Sequence, residues 1–314
     1  MRVRSRSASW LATLIGAAAL CGAAASALAA DPPPLVPAIV GAPSGEHHPG
    51  KLVWADLVTP DVAAAERFYG GLLGWSFSEL HLRRVPYVIA MLDGAPVAGI
   101  VGRPMPSGER RQPAWLPFFA VASADQTAQS AVAGGGRVLS GPHEYRGRGV
   151  QAVLLDPQGA AFAVVQSSEG DPEDVLAPEG GWIWCSLVTG DARADAAFYQ
   201  TLFGYQIYDA TESGDEGEHV ILASDDYARA SVNSAPGEAS RRHPHWLPYV
   251  RVLDARAAVS RAAGLGGRVL VEPHQDRHGG YSAVIADPQG APLGLLEWTQ
   301  AQGMEATGQT EATP

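Results

Sequence analysis

Histidines, acidic side chains and one mature cysteine are the groups in this chain that could do chemistry, and their spacing narrows what that chemistry can be. The nine histidines are His47, His48, His81, His143, His219, His243, His245, His274 and His278. His47-His48 fall in a polar leader, and His243-x-His245 precedes a strand-like run, where a clip for a surface ion competes with an ordinary loop. One polar motif occurs twice, as Pro142-His143-Glu144-Tyr145-Arg146 and Pro273-His274-Gln275-Asp276-Arg277. Asp56 follows Trp54 by two residues; burial beside an indole would raise its pKa and suit it to acid or base work, or leave it a hydrogen-bonded rim carboxylate. Arg251 could clamp a ligand carboxylate or pair with an acid across its strand. Cys185 lies in the apolar run Trp182 to Val188 and reads as a buried, inert thiol. Neither a G-x-S-x-G elbow nor a Gly-rich loop after a strand occurs, and Gly134-Gly135-Gly136 ends a helical pattern, the wrong end for an anion. The Arg110-Arg111 and Arg241-Arg242 pairs read as solvated charges or inter-domain salt bridges.

The elements that must position these groups are legible because the chain repeats itself. Trp54-Ala55-Asp56-Leu57-Val58-Thr59 returns 130 positions later as Trp184-Cys185-Ser186-Leu187-Val188-Thr189, and Phe68-Tyr69 as Phe198-Tyr199. With the shift grown to 131, Trp115-Leu116-Pro117 returns as Trp246-Leu247-Pro248 and Asp156-Pro157-Gln158-Gly159 as Asp287-Pro288-Gln289-Gly290. One inserted residue over such a span means two copies of one domain. In copy one, Leu52 to Val58 reads as a strand and Asp61 caps a helix that Gly74 ends. Short strands follow near Tyr87–Leu92 and Val97–Val101, then a strand at Trp115–Val121 and a helix from Ala124 to Ala133. Strands Val150–Leu155 and Ala160–Gln166 are joined by the Asp156–Gly159 hairpin, in which Gly159 can take positive φ. Each copy is thus βαβββ twice. The domains expected are 51–167 and 181–298, with 168–180 as linker, 30–50 as a flexible leader and 299–314 as a disordered tail.

Residues 1–29 read as a secretory signal: Arg2, Arg4 and Arg6, an apolar stretch from Leu11 to Leu28, and an Ala27-Leu28-Ala29 cleavage site. A retained anchor or a lipoprotein processed at Cys21 are the alternatives. Removal of the signal lowers the 22 basic side chains to 19 against 33 acids, a formal charge of −14. Such an acidic chain without a basic run cannot neutralise phosphates, which excludes nucleic acid as a natural partner. With Cys21 gone, Cys185 has no intrachain partner for a disulfide.

The strand before Asp61, the Phe68-Tyr69…Leu73-Gly74-Trp75 helix end (Phe198-Tyr199…Phe203-Gly204-Tyr205 in copy two) and the doubled DPQG hairpin resemble the glyoxalase/bleomycin-resistance/extradiol-dioxygenase superfamily. The resemblance implies an α+β fold in which paired βαβββ units form a curved sheet around a cavity. It further implies a divalent metal held by His, Gln or Glu on the first and fifth strands and an acid on the fourth or eighth. The corresponding residues here are Trp54, Leu116 and Ala163, and Trp184, Leu247 and Gly294, none of which can donate to a hard cation. Strand alternation puts Asp56, Val58, Phe118, Ala120 and Val165 on the cavity side of copy one. In copy two it puts Ser186, Val188, Tyr249, Arg251 and Leu296 there, with Glu297 facing away.

The expectation is an exported, periplasmic or secreted protein that binds a small apolar or aromatic molecule without a metal or other cofactor. Trp54, Asp56, Phe118, Trp184, Ser186, Tyr249 and Arg251 are the candidate ligand contacts, with His143 and His274 at the cavity mouth. Asp56 is the best candidate should the protein be an enzyme of lyase, isomerase or dioxygenase type. A structural or partner-binding module is the third reading. The two copies are expected to pair within one chain or in a homodimer.

Overall fold

The structure, a computed structural model, describes residues 35–82, 85–105, 112–211, 217–234, 243–275 and 280–298, with residues 81, 82 and 85 described by their backbone alone. Copy one runs β1 (Leu52–Thr59), α1 (Val62–Leu73), β2 (Ser76–Leu82), β3 (Val85–Leu92), β4 (Ala95–Gly102), β5 (Ala114–Ala120), α2 (Ala124–Ala133), β6 (Arg137–Tyr145), β7 (Gly149–Leu155) and β8 (Ala161–Ser167). Copy two repeats the order as β9 (Trp182–Thr189), α3 (Ala192–Phe203), β10 (Gln206–Asp209), β11 (His219–Ser224), β12 (Tyr227–Ser234), β13 (His245–Val252), α4 (Ala255–Gly264), β14 (Arg268–Gln275), β15 (Tyr281–Ala286) and β16 (Pro292–Glu297). Each copy forms one curved eight-stranded sheet, ordered β2-β3-β4-β1-β5-β8-β7-β6 and β10-β11-β12-β9-β13-β16-β15-β14. The first strands of the two halves, β1 with β5 and β9 with β13, pair antiparallel at the centre of each sheet.

Local chemistry sets the element ends. Asp61 caps α1 by accepting from the Ala64 amide at 2.9 Å, and Gly74 ends it at φ 72°, a left-handed conformation that favours glycine. The DPQG hairpins close on their aspartates: Asp156 Oδ1 accepts from the amides of Gln158, Gly159 and Ala160. The same carboxylate's other oxygen accepts from Tyr199 of copy two, and Asp287 accepts reciprocally from Tyr69 of copy one.

That reciprocity reflects how the copies pack. Helices lie on one face of each sheet, and these helical faces meet. One core joins Phe119, Phe162 and Leu154 of copy one to Phe198, Phe203 and Trp246 of copy two. A second joins Leu57, Phe68 and Trp115 to Val250, Ile285 and Leu295. Both cores are mixed, so neither copy buries its helical face by itself.

Two regions differ from the sequence-based expectation. The segment from Leu35 to Gly50, expected as a flexible leader, is packed: Val36 and Ile39 are buried, and Tyr205 Oη donates to the Gly50 carbonyl. Its apolar residues find a surface that only the folded sheet creates. Residues 142–145, expected as a connection, belong to β6, whose register shifts before His143. Proline and an exposed, polar edge strand together hide the period-two pattern there. Residues 1–29, expected as a signal, the arginine pairs, Arg277 and the expected tail 299–314 lie outside the described residues.

Candidate functional site

The face of each sheet opposite its helices carries the predicted site residues. In copy one the register places Trp54 opposite Phe118, Phe118 opposite Ala163, and Asp56 opposite Leu116, all on that face. Gly99 lies beside Asp56, and Ile89 and Tyr87 follow on β3. Trp54 is fully buried and Phe118 nearly so. Trp54 Nε1 and Tyr87 Oη both donate to Asp56 Oδ1, at 2.7 and 2.8 Å. Burial pushes the Asp56 pKa up, against the opposing pull of Arg148 and of these two hydrogen bonds. Gly99 is required by this arrangement, because a Cβ there would lie 2.1 Å from Asp56 Oδ1 and 2.3 Å from Tyr87 Oη.

Arg148, from the turn between β6 and β7, was not singled out in the sequence, yet it organises this hollow. Its guanidinium stacks on Trp54 with Cζ 3.9 Å from the ring centroid. Nε donates to the Pro37 carbonyl at 2.8 Å and Nη1 to Tyr87 Oη at 3.3 Å. The residue that pulls on Asp56 therefore also anchors the 35–50 segment, whose Val36 and Ile39 join Trp54, Tyr87, Ile89 and Phe118 in a third core. The hollow of copy one is filled and covered from within the chain.

Copy two differs residue by residue at equivalent strand positions. Ser186 stands for Asp56, Ser231 for Gly99, His219 for Tyr87 and Asn233 for Val101, as the paired registers show. These residues form a hydrogen-bonded row. Ser186 and Ser231 hydroxyls are 2.8 Å apart, and Trp184 Nε1 and Asn233 Nδ2 each donate to Ser231 Oγ at 3.2 Å. The His219 Nδ1 pairs with Asn233 Oδ1. Beside the row, the Tyr249 ring lies on Gly294, where a Cβ would come within 2.1 Å of it. Trp184 and Tyr249 are part-buried, and Leu247 and Ser186 are buried. Among the described residues no segment covers this face as residues 35–43 cover that of copy one.

The remaining predicted residues sit at the margins. Arg251 Nε donates to the Trp298 carbonyl and Nη1 to that of Ala177, tying the linker to the end of copy two. His143 is exposed on β6. His274 is exposed on β14, its Nδ1 at the Glu272 carbonyl and its Nε2 3.2 Å from Ser282 Oγ. Glu297 faces the helices, where it accepts from the Ala255 amide. Cys185 is buried, which raises its thiol pKa well above the ordinary value.

A divalent ion of the kind the fold's metal-using members hold does not fit these residues. In copy one the carboxylate on the inner face already accepts two hydrogen bonds on one oxygen and stands near a guanidinium. In copy two the face offers serine hydroxyls, an amide and His219, already engaged with Asn233. Among the described residues no three His, Cys, Asp or Glu side chains converge. What the copy-two face can do is stack a planar ring and satisfy a few polar groups.

Comparison with known proteins agrees with this architecture. Residues 51–164 match the family described as "Glyoxalase/Bleomycin resistance protein/Dioxygenase superfamily", and residues 183–296 match "Glyoxalase-like domain". The chain is 31% identical over 258 residues to the Mycobacterium tuberculosis protein named "Putative glyoxylase CFP32", covering 80% of this chain and 96% of that protein. It is 33% identical over 274 residues to "Anthracycline biosynthesis protein DauV" of a Streptomyces species, covering 83% and 98%. Among solved structures, the Mn(II)-bound glyoxalase from Novosphingobium aromaticivorans shares the fold, with TM-score 0.58, 15% identity, and coverage of 80% of this chain and 83% of that one. The chain therefore belongs to the glyoxalase-like, or vicinal oxygen chelate, superfamily, as a tandem two-domain member.

Proposed function

We propose that this chain is an exported, metal-independent binding protein whose copy-two hollow takes a small planar aromatic molecule. The observation that carries the reading is the part-buried Trp184 and Tyr249 beside the Ser186–Ser231–Asn233–His219 row. The rings supply a stacking surface at low entropic cost, and the row supplies donors and acceptors that fix orientation without a full charge. The name of the Streptomyces relative, which refers to anthracycline biosynthesis, is in keeping with a polycyclic aromatic ligand. The donor set described above supports metal independence. The signal at residues 1–29 supports export, with a mature chain beginning at Ala30.

Anthraquinone-2-sulfonate is a suitable probe, read by tryptophan fluorescence on the mature chain with and without EDTA. Saturable quenching is expected, unchanged by the chelator. Trp184→Ala should weaken binding at least tenfold and Ser231→Ala a few-fold, whereas Asp56→Asn should leave affinity unchanged. Quenching that does not saturate, or a Trp184→Ala variant that binds as the wild type does, would overturn the assignment.

A further inference from the structure

The segment that covers copy one is held as a ligand would be held. Val36 and Ile39 are buried at 4% and 3% exposure against the inner face, packed with Trp54, Ile89 and Phe118. The Val36 amide donates to the Arg146 carbonyl at 2.9 Å, and the Pro37 carbonyl accepts from Arg148 Nε at 2.8 Å. Apolar bulk on aromatic walls, with an acceptor on a buried cation, is what a small molecule would present here. Copy two shows no counterpart among the described residues.

The cover leaves polar capacity unused. Arg148 is 1% exposed, and among the described residues its Nη2 is buried without a partner, as is the Nε2 of Gln151 on β7. Gln151 lies opposite Val165 on the inner face. Buried donors are almost always satisfied, and a guanidinium with a free nitrogen favours an anionic, forked acceptor. Asp56 already stands near the same guanidinium, so a monoanion suits the site better than a dianion.

We propose that residues 35–41 are a displaceable strap occupying a second binding site on copy one, and that the site's ligand is a small monocarboxylic acid with an apolar ring. The carboxylate takes the place of the Pro37 carbonyl on Arg148 and reaches its unpartnered Nη2. The ring takes the place of Val36 and Ile39 on Trp54 and Phe118. The strap lowers the apparent affinity by the fraction of molecules in which it is closed.

The probe is 2-naphthoate, used on the full mature chain carrying Trp184→Ala so that any copy-two site is weakened. Two measurements decide. Hydrogen exchange of the Val36 amide should speed up at saturating 2-naphthoate in the otherwise unaltered chain. In calorimetry, loosening the strap with Val36→Ser and Ile39→Ser should strengthen 2-naphthoate binding about tenfold, and adding Arg148→Met should abolish it. Unchanged exchange at Val36 overturns the proposal without reference to any strap variant, so a misfolded variant does not shelter it. Binding that survives Arg148→Met also overturns it. Loss of anthraquinone-2-sulfonate binding in the earlier experiment bears on copy two alone.

Discussion

Tyr69 and Tyr199 occupy the same position in their copies, and each hydroxyl both accepts and donates. Trp115 Nε1 donates to Tyr69 Oη at 3.1 Å, and Tyr69 Oη donates to Asp287 of the other copy at 3.1 Å. Trp246, Tyr199 and Asp156 make the mirror arrangement at 2.9 and 3.0 Å. Burial raises both tyrosine pKa values well above normal, so the hydroxyls stay protonated. The Phe-Tyr and DPQG motifs that carry the family resemblance thus meet across the two copies. Tyr199→Phe keeps the ring and leaves the Trp246 N–H and one Asp156 oxygen without their buried partner. A loss of roughly 1–3 kcal/mol is expected in urea unfolding, with an unchanged slope. A loss below the error of the measurement would mean that water replaces the hydroxyl.

At the scale of elements, α3 shows how two similar helices acquire different pH behaviour. Asp195 in α3 stands where α1 has Ala65, and it is buried near Asp156, Thr189 and Gln158, with its Oδ2 unpartnered among the described residues. Burial raises its pKa to about 7; Asp156 and Asp191 nearby push it further up, while hydrogen bonds with Thr189 and Gln158 pull down. The folded chain therefore holds this proton more tightly than the unfolded chain, where the carboxyl keeps its ordinary value of 3.8. Stability supplied by the bound proton is complete below pH 3.8 and fades as pH rises toward 7. Asp195→Asn, which mimics the protonated acid, should match the wild type near pH 4 and melt several degrees higher at pH 8. An equal difference at both pH values would remove the titration argument. The same scale explains what was legible beforehand. Helices α1 and α2 and the central strands follow period and caps written locally, and alternation placed Trp54, Asp56, Phe118, Trp184, Ser186 and Tyr249 on the inner faces. The fourth strands, β4 and β12, read only as lacking His and Glu, and alternation carried no further assigns no face to Tyr87, Gly99, Ser231 and Asn233, or to His219, which stands out only as one of the nine histidines. Arg148 and the strap were not readable that way, because their contacts span more than a hundred residues: Nε of Arg148 meets the carbonyl of Pro37.

At the scale of the whole molecule, the helical layers of both sheets lie between them and share their cores, which predicts how the chain unfolds. Phe119 of copy one is fully buried, its ring centroid 5.5 Å from that of Phe203 and 5.0 Å from that of Trp246, both in copy two. Trp182 Nε1 of copy two donates to the Val97 carbonyl of copy one at 2.7 Å, and Trp75 Nε1 to that of Gly180 at 3.0 Å. Neither copy can open without exposing the apolar face of the other, so the linked domains should behave as one cooperative unit despite being two repeats. Differential scanning calorimetry of residues 30–314 should give a single endotherm whose van't Hoff and calorimetric enthalpies agree. Phe119→Ala removes a ring shared by both copies and should cost about 3–5 kcal/mol. Because the lost contacts belong to both, the variant's endotherm should move down in temperature as a whole. If Phe119→Ala instead splits the transition, with copy two melting where it did before, each copy holds its own fold and the shared cores are a docking surface between independent domains.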